Sequence, residues 1–180
     1  MQLSTLAIGL GAALAVPHIY GLAKPAAAAA AIRKFPRSLA WGYVLMAIGT
    51  AWFLWNLSSE TISDFASYKK LMLIGFGAVG LLTCVYVKDF LAVRGLAIVM
   101  LLTAKVMLDT ARWHSSSWHL LISVLAYGWI LAGMWFTISP WRLRDLIDWS
   151  TADLKRVRII SAFRLGLGLL ILILGVTVFQ

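Results

Sequence analysis

The chain has 180 residues, 62% of them hydrophobic and 13% charged, with a mean hydropathy of +0.89. Soluble domains average about 45–50% apolar and about 25% charged residues, so this chain has too little polar surface to cover a water-soluble core. The same figures exclude a disordered chain, and the single cysteine, Cys84, excludes a disulfide scaffold. The composition predicts an all-α, polytopic transmembrane protein.

A bilayer core about 30 Å thick needs roughly 20 helical residues per crossing. In chain order the apolar runs predict six spans, at 3–22, 38–57, 71–87, 94–112, 117–138 and 159–179, within one integral membrane domain covering 1–180. The runs are near-continuous, without the polar–apolar alternation of a β-barrel. Span one carries Pro17 and His18 near its end. It reads as an uncleaved helix, because no positively charged segment precedes it and its alanine tract leads into a basic cluster. A polar connection, 58–70, follows span two. Lys88, Asp89 and Arg94 split the long apolar stretch between Leu71 and Asp109 into spans three and four.

Lysine and arginine set the expected orientation. The connections after spans one, three and five carry Lys24, Arg33, Lys34 and Arg37, then Lys88 and Arg94, then Arg142, Arg144, Lys155, Arg156 and Arg158. The opposite connections carry Lys69, Lys70 and Arg112. The positive-inside rule therefore puts both termini outside a cytoplasmic (inner) membrane, with the spans paired as three hairpins. Tryptophans cluster at the expected span ends, as an aromatic belt requires, and only Trp129 falls mid-span. An arginine opens the second span of each hairpin (Arg37, Arg94 and Arg164), a pattern that an internal repeat or simple positive-inside topology would produce.

Between spans five and six, residues 140–149 read as a short amphipathic interfacial helix. Trp141, Leu143, Leu146 and Ile147 share one face there, and Arg142, Arg144, Asp145 and Asp148 take much of the other. The apolar face is a candidate docking surface. Pro140 suits the first turn, and Ser150 with Asp153 reads as the cap restarting a helix into span six. The alanine run 26–31 is a weaker interfacial segment of the same kind.

Ionisable residues at membrane depth are the default place to seek chemistry. Lys105 and Asp109 lie four apart in span four and can pair. Because helical side chains lean toward the N-terminus, Lys105 is expected to tilt toward the bilayer middle, against other helices near Thr103 or Tyr127. Arg164 completes the candidate polar set and is placed to snorkel. His114 and His119 are the candidate metal ligands, but a spacing of five does not put them on one helix face, and no cysteine joins them. His18 lies at the opposite depth, which argues against a bis-histidine haem. Gly75-Phe-Gly77-Ala-Val-Gly80 has the letters of a dinucleotide fingerprint without its strand–turn–helix context. It reads as close helix packing, as do Gly9 with Gly11, Gly42 with Gly49, Gly128 with Gly133, and Gly166 with Gly168.

No nucleophile, acid–base set or cofactor motif is visible. The net charge of +9 sits in the membrane-flanking turns, where it fits anionic lipid and not nucleic acid. The expected function is a non-catalytic accessory, assembly or anchoring subunit that self-associates or joins a larger membrane complex. The alternative is a small transporter or channel with a polar site at Lys105 and Asp109.

Overall fold

The computed structural model describes residues 2–60 and 63–179. Thr61 and Ile62 of the polar connection, with Met1 and Gln180, lie outside the described residues. Among those described there are eight α-helices and no strand: α1 (Leu3–Ala23), α2 (Pro25–Lys34), α3 (Leu39–Ser59), α4 (Lys69–Tyr86), α5 (Leu91–Ala111), α6 (His119–Ile138), α7 (Trp141–Thr151) and α8 (Leu154–Thr177). The helices α1, α4, α5, α6 and α8 are each long and apolar enough to cross a bilayer. A sixth crossing is reached if Pro25–Arg37 and Leu39–Ser59, broken at Ser38, count as one span. The chain is all-helical, with the make-up of a multi-pass membrane protein.

Local chemistry explains where the helices depart from the expected limits. The apolar run of span six begins at residue 159, and the helix that carries it, α8, starts at Leu154, behind the Asp153 cap expected from the sequence. The Asp153 carboxylate accepts from the Lys155 N–H at 3.0 Å, and its carbonyl accepts from the Val157 N–H at 3.2 Å, so the cap starts the helix ahead of the apolar run. Ser150 takes no part in that cap, since its hydroxyl donates to the Ile147 carbonyl. The alanine run becomes the full helix α2, started by Pro25, and α5 opens three residues before Arg94.

The chain divides into two compact units. The first comprises 1–34, 103–129 and 144–180. Here α1 and α8 pack along their lengths: Gly175 lies against Ala7 and Ile8, Gly168 against Gly11 and Ala15, and Gly21 against Ser161. Numbers that rise along α1 fall along α8, so the pair is antiparallel. A Cβ on Gly11 would lie 2.7 Å from the Gly168 carbonyl oxygen and from the Leu172 nitrogen, backbone atoms that cannot swing aside. Helix α2 packs on both α1 and α8. Arg33 fastens it there, donating from Nε to Thr151 Oγ1 at 2.7 Å and from its terminal nitrogen to the Thr151 carbonyl at 2.8 Å. That guanidinium caps the carbonyl end of α7.

The second unit comprises 35–102 and 130–143. Helices α3 and α4 form an antiparallel pair, with Gly80 against Thr50 and Phe53 edge-on to Phe76 at 5.0 Å. Helix α3 runs parallel to the first half of α5: Gly42 meets Leu91, Gly95 meets Leu45 and Met46, and Gly49 meets Ile98. Phe90, Val93, Ala97 and Phe136 form a buried cluster, with Met100, Ala132 and Leu143 packed against it. The close pairs α1–α8 and α3–α4 are thus not the pairs read as hairpins.

Only some of the expected packing glycines meet a neighbour. Gly11, Gly80, Gly133 and Gly168 do, while Gly9, Gly75, Gly128 and Gly166 face open space. Residues two apart point roughly 200° apart around a helix, so one member of such a pair turns away. Gly42 and Gly49, two turns apart, share a face and both pack. Gly11→Ala is therefore expected to cost about 1–3 kcal/mol, the usual penalty of overpacking. Gly9→Ala should stay within about 0.5 kcal/mol. Unfolding of both variants by SDS in bicelles measures the difference.

Candidate functional site

Lys105 and Asp109 are joined, Nζ to Oδ2, at 2.7 Å. Their side chains are 48% and 60% exposed, whereas Ala104, Met107 and Ala111 on another face of α5 are fully buried. The pair therefore lies on a half-exposed flank of the helix. Lys105 also departs from the expected lean. Its ammonium reaches one turn toward the C-terminal end of α5, because its four-carbon stem is long enough to reverse the lean and the carboxylate is there to meet it. Lys105 stands about 9 Å from the end of α5 at 1.5 Å per residue.

Arg164 is exposed on α8, about 15 Å along the helix from Leu154, and among the described residues it forms no ion pair. The antiparallel register sets it level with His18 on α1, between the Gly21–Ser161 and Gly168–Ala15 contacts. His18 Nδ1 donates to the Leu14 carbonyl at 2.6 Å, one turn back in a helix where Pro17 has no N–H to give. The three candidate polar residues are thus two sites: the Lys105–Asp109 pair, and Arg164 apart from it.

His114 and His119 are each committed to a different backbone group. His114 Nδ1 accepts from the Ser116 N–H at 3.1 Å, and its ring stands edge-on to Phe179 at 5.2 Å. His119 Nδ1 donates to the Ser116 carbonyl at 2.6 Å. A neutral ring whose Nδ1 accepts carries its proton on Nε2, so His114 in this form has no free lone pair for a metal. Among the described residues no three His, Cys, Asp or Glu side chains gather in a metal-binding group. An open cavity of about 330 Å³ lies at this end of the first unit, lined by Gln2, Leu3, Thr110, Trp113, His114 and Phe179.

The expected docking face of α7 is split by the fold. Leu143 packs on the Phe90–Phe136 cluster and Ile147 is buried, while Trp141 and Leu146 remain exposed. Two features had no local signal in the sequence. Arg33 and Thr151 are 118 residues apart, and nothing near either one marks the contact. The sequence marks Arg94 only as the cation opening span four, whereas its Nε is buried and makes no hydrogen bond. Comparison with known protein families, curated proteins and solved structures finds no match.

Charges at membrane depth cost roughly 2.5–3.5 kcal/mol each on insertion scales, and removing one partner of a pair strands the other. Lys105→Met and Asp109→Leu are each expected to lower folded yield, with Asp109→Leu the worse because it leaves the deeper charge alone. The double variant should return to wild-type yield. Size-exclusion profiles of all three in detergent check the order.

Proposed function

We propose that this chain is a non-catalytic subunit of an inner-membrane complex, an accessory, assembly or anchoring component with no chemistry of its own. It would cross the membrane six times, with α3 as the second crossing, both termini outside, and α2 and α7 lying in the interface. The alternating directions of α3, α4 and α5, and of α1 and α8, are those that such a chain requires. The basic turns would rest on anionic lipid, each cation there contributing about 1 kcal/mol.

The observation that carries this reading is the outward position of the Lys105–Asp109 pair. A conduction or transport site gathers polar groups around an enclosed, wet path. Here the ion pair sits half exposed on a helix flank, where lipid is a poor environment and a protein partner a good one. Helix α4 supports the same conclusion, because only 6% of its most apolar stretch is buried. Leu71, Ile74 and Leu81 all point outward along it.

Native membranes solubilised gently and run on blue-native gels should show the chain in an assembly larger than its monomer. Lys105→Met with Asp109→Leu should release a folded monomer from that assembly. Proteoliposomes of the wild type should pass H⁺, Na⁺ and K⁺ no faster than empty vesicles. Wild-type flux that disappears in a well-folded double variant would overturn the reading in favour of a transporter.

A further inference from the structure

Helix α5 is the most buried of the five long apolar helices, with 44% of its most apolar stretch covered. From Leu91 to Ala111 every side chain is buried or partly buried except two, Lys105 and Asp109. A crossing helix ordinarily turns its apolar side chains to lipid and its charged ones inward. Here the order is reversed. The window that α5 leaves open is an ion pair, while Ala104, Met107 and Ala111 on another face are sealed. Apolar residues would suit lipid better at those two positions, so the pair marks a surface that meets something polar.

Lys105 Nζ lies 2.7 Å from Asp109 Oδ2, so the ammonium stands at the depth of Asp109, one turn beyond its own backbone. Cation and anion are thus side by side at one level of the helix. The other carboxylate oxygen, Oδ1, accepts no hydrogen bond among the described residues. Copies of one chain insert in one orientation, so a two-fold axis relating two of them runs along the membrane normal and preserves depth. Turned about that axis, α5 of a second copy brings its own ammonium and carboxylate to the same level, in the opposite order. Each cation then faces the carboxylate of the other copy, and the four charges alternate around a closed square.

On the reading that the chain is a subunit whose ion pair meets a partner protein, we propose that this partner is a second copy of the chain. The two copies dimerise about the two-fold axis, with each Lys105 ammonium shared between the Asp109 carboxylates of both. Charge complementarity selects this occupant. A different protein would have to present an acid and a base at the same depth and spacing, whereas a second copy does so by symmetry. An anionic lipid headgroup would answer the ammonium and repel the carboxylate. Arg112, nearly one turn beyond Asp109, is held over the Trp113 ring at 5.8 Å, which leaves the square to Lys105 and Asp109.

The test uses the full-length protein, purified, labelled in two colours and reconstituted in liposomes, where energy transfer reads association as added lipid dilutes the chains. Wild type is expected to self-associate. Lys105→Met with Asp109→Leu, which strands no charge, should keep its helix content and associate about tenfold more weakly, the scale of two interhelical polar contacts in a membrane. Lys105→Glu and Asp109→Lys should each fail to pair with themselves and should pair with one another, because the mixture restores cation against carboxylate on both sides of the axis. Should either of these fail to fold, the double variant still decides. A monomeric wild type in liposomes, beside a native assembly that the double variant dissolves, would overturn the second copy as partner and leave the subunit reading standing. A chain that is monomeric in native membranes as well would overturn both. Self-association undiminished in the double variant would overturn the ion pair as the contact.

Discussion

Helices in a bilayer gain nothing by hiding apolar surface from one another, because lipid tails are as apolar as leucine. What joins them is close contact, and in this chain the contact is made where a glycine removes the obstacle. Gly11 and Gly168 let the backbones of α1 and α8 touch, and Gly95 admits the backbone of α3 at Met46. In soluble proteins large apolar residues are the natural core. Here many of them point out, and the most buried positions of α5 are largely small: Ala92, Ala97, Ala104 and Ala111. The seams set helix direction and register. The outward residues are left to lipid or to a partner.

The same constraint governs the charges, since a cation near lipid persists only where something answers it. Lys105 has Asp109. Arg33 and Arg156 donate to the Thr151 and Trp149 carbonyls, two of the groups left open at the end of α7. Arg156 also stacks over the Trp149 ring at 5.3 Å. Arg94 is the exception, its Nε buried without a hydrogen bond.

Much of the fold was legible because span length and hydropathy are one-dimensional properties. The crossings of α1, α5 and α6 fall within three residues of the expected limits at each end, and Lys105 with Asp109 follows from a spacing of four. What could not be read depends on three-dimensional facts. Which glycine of a pair packs depends on which face meets a neighbour, so Gly9 and Gly11 look alike in sequence and behave differently. Leu143 and Trp141 share an amphipathic stripe, yet the cluster of Phe90, Val93, Ala97 and Phe136 claims Leu143 and leaves Trp141 exposed. The start of α8 is legible in Asp153, whose carboxylate caps the helix, whereas Ser150 beside it turns back to the Ile147 carbonyl.

The account rests on an antiparallel, glycine-lined seam between the first and last helices, and disulfide trapping tests that seam directly. In a Cys84→Ser background, Ala7→Cys with Gly175→Cys and Gly21→Cys with Ser161→Cys each place two sulfurs across it, where ideal Cβ atoms lie 3.1 Å and 3.3 Å from their partners. Both pairs should oxidise in native membranes to an intramolecular bond that keeps the chain whole after cleavage at a protease site inserted at Ser63. Cross-linking of Ala7→Cys with Ser161→Cys instead, or of neither pair, would contradict the account.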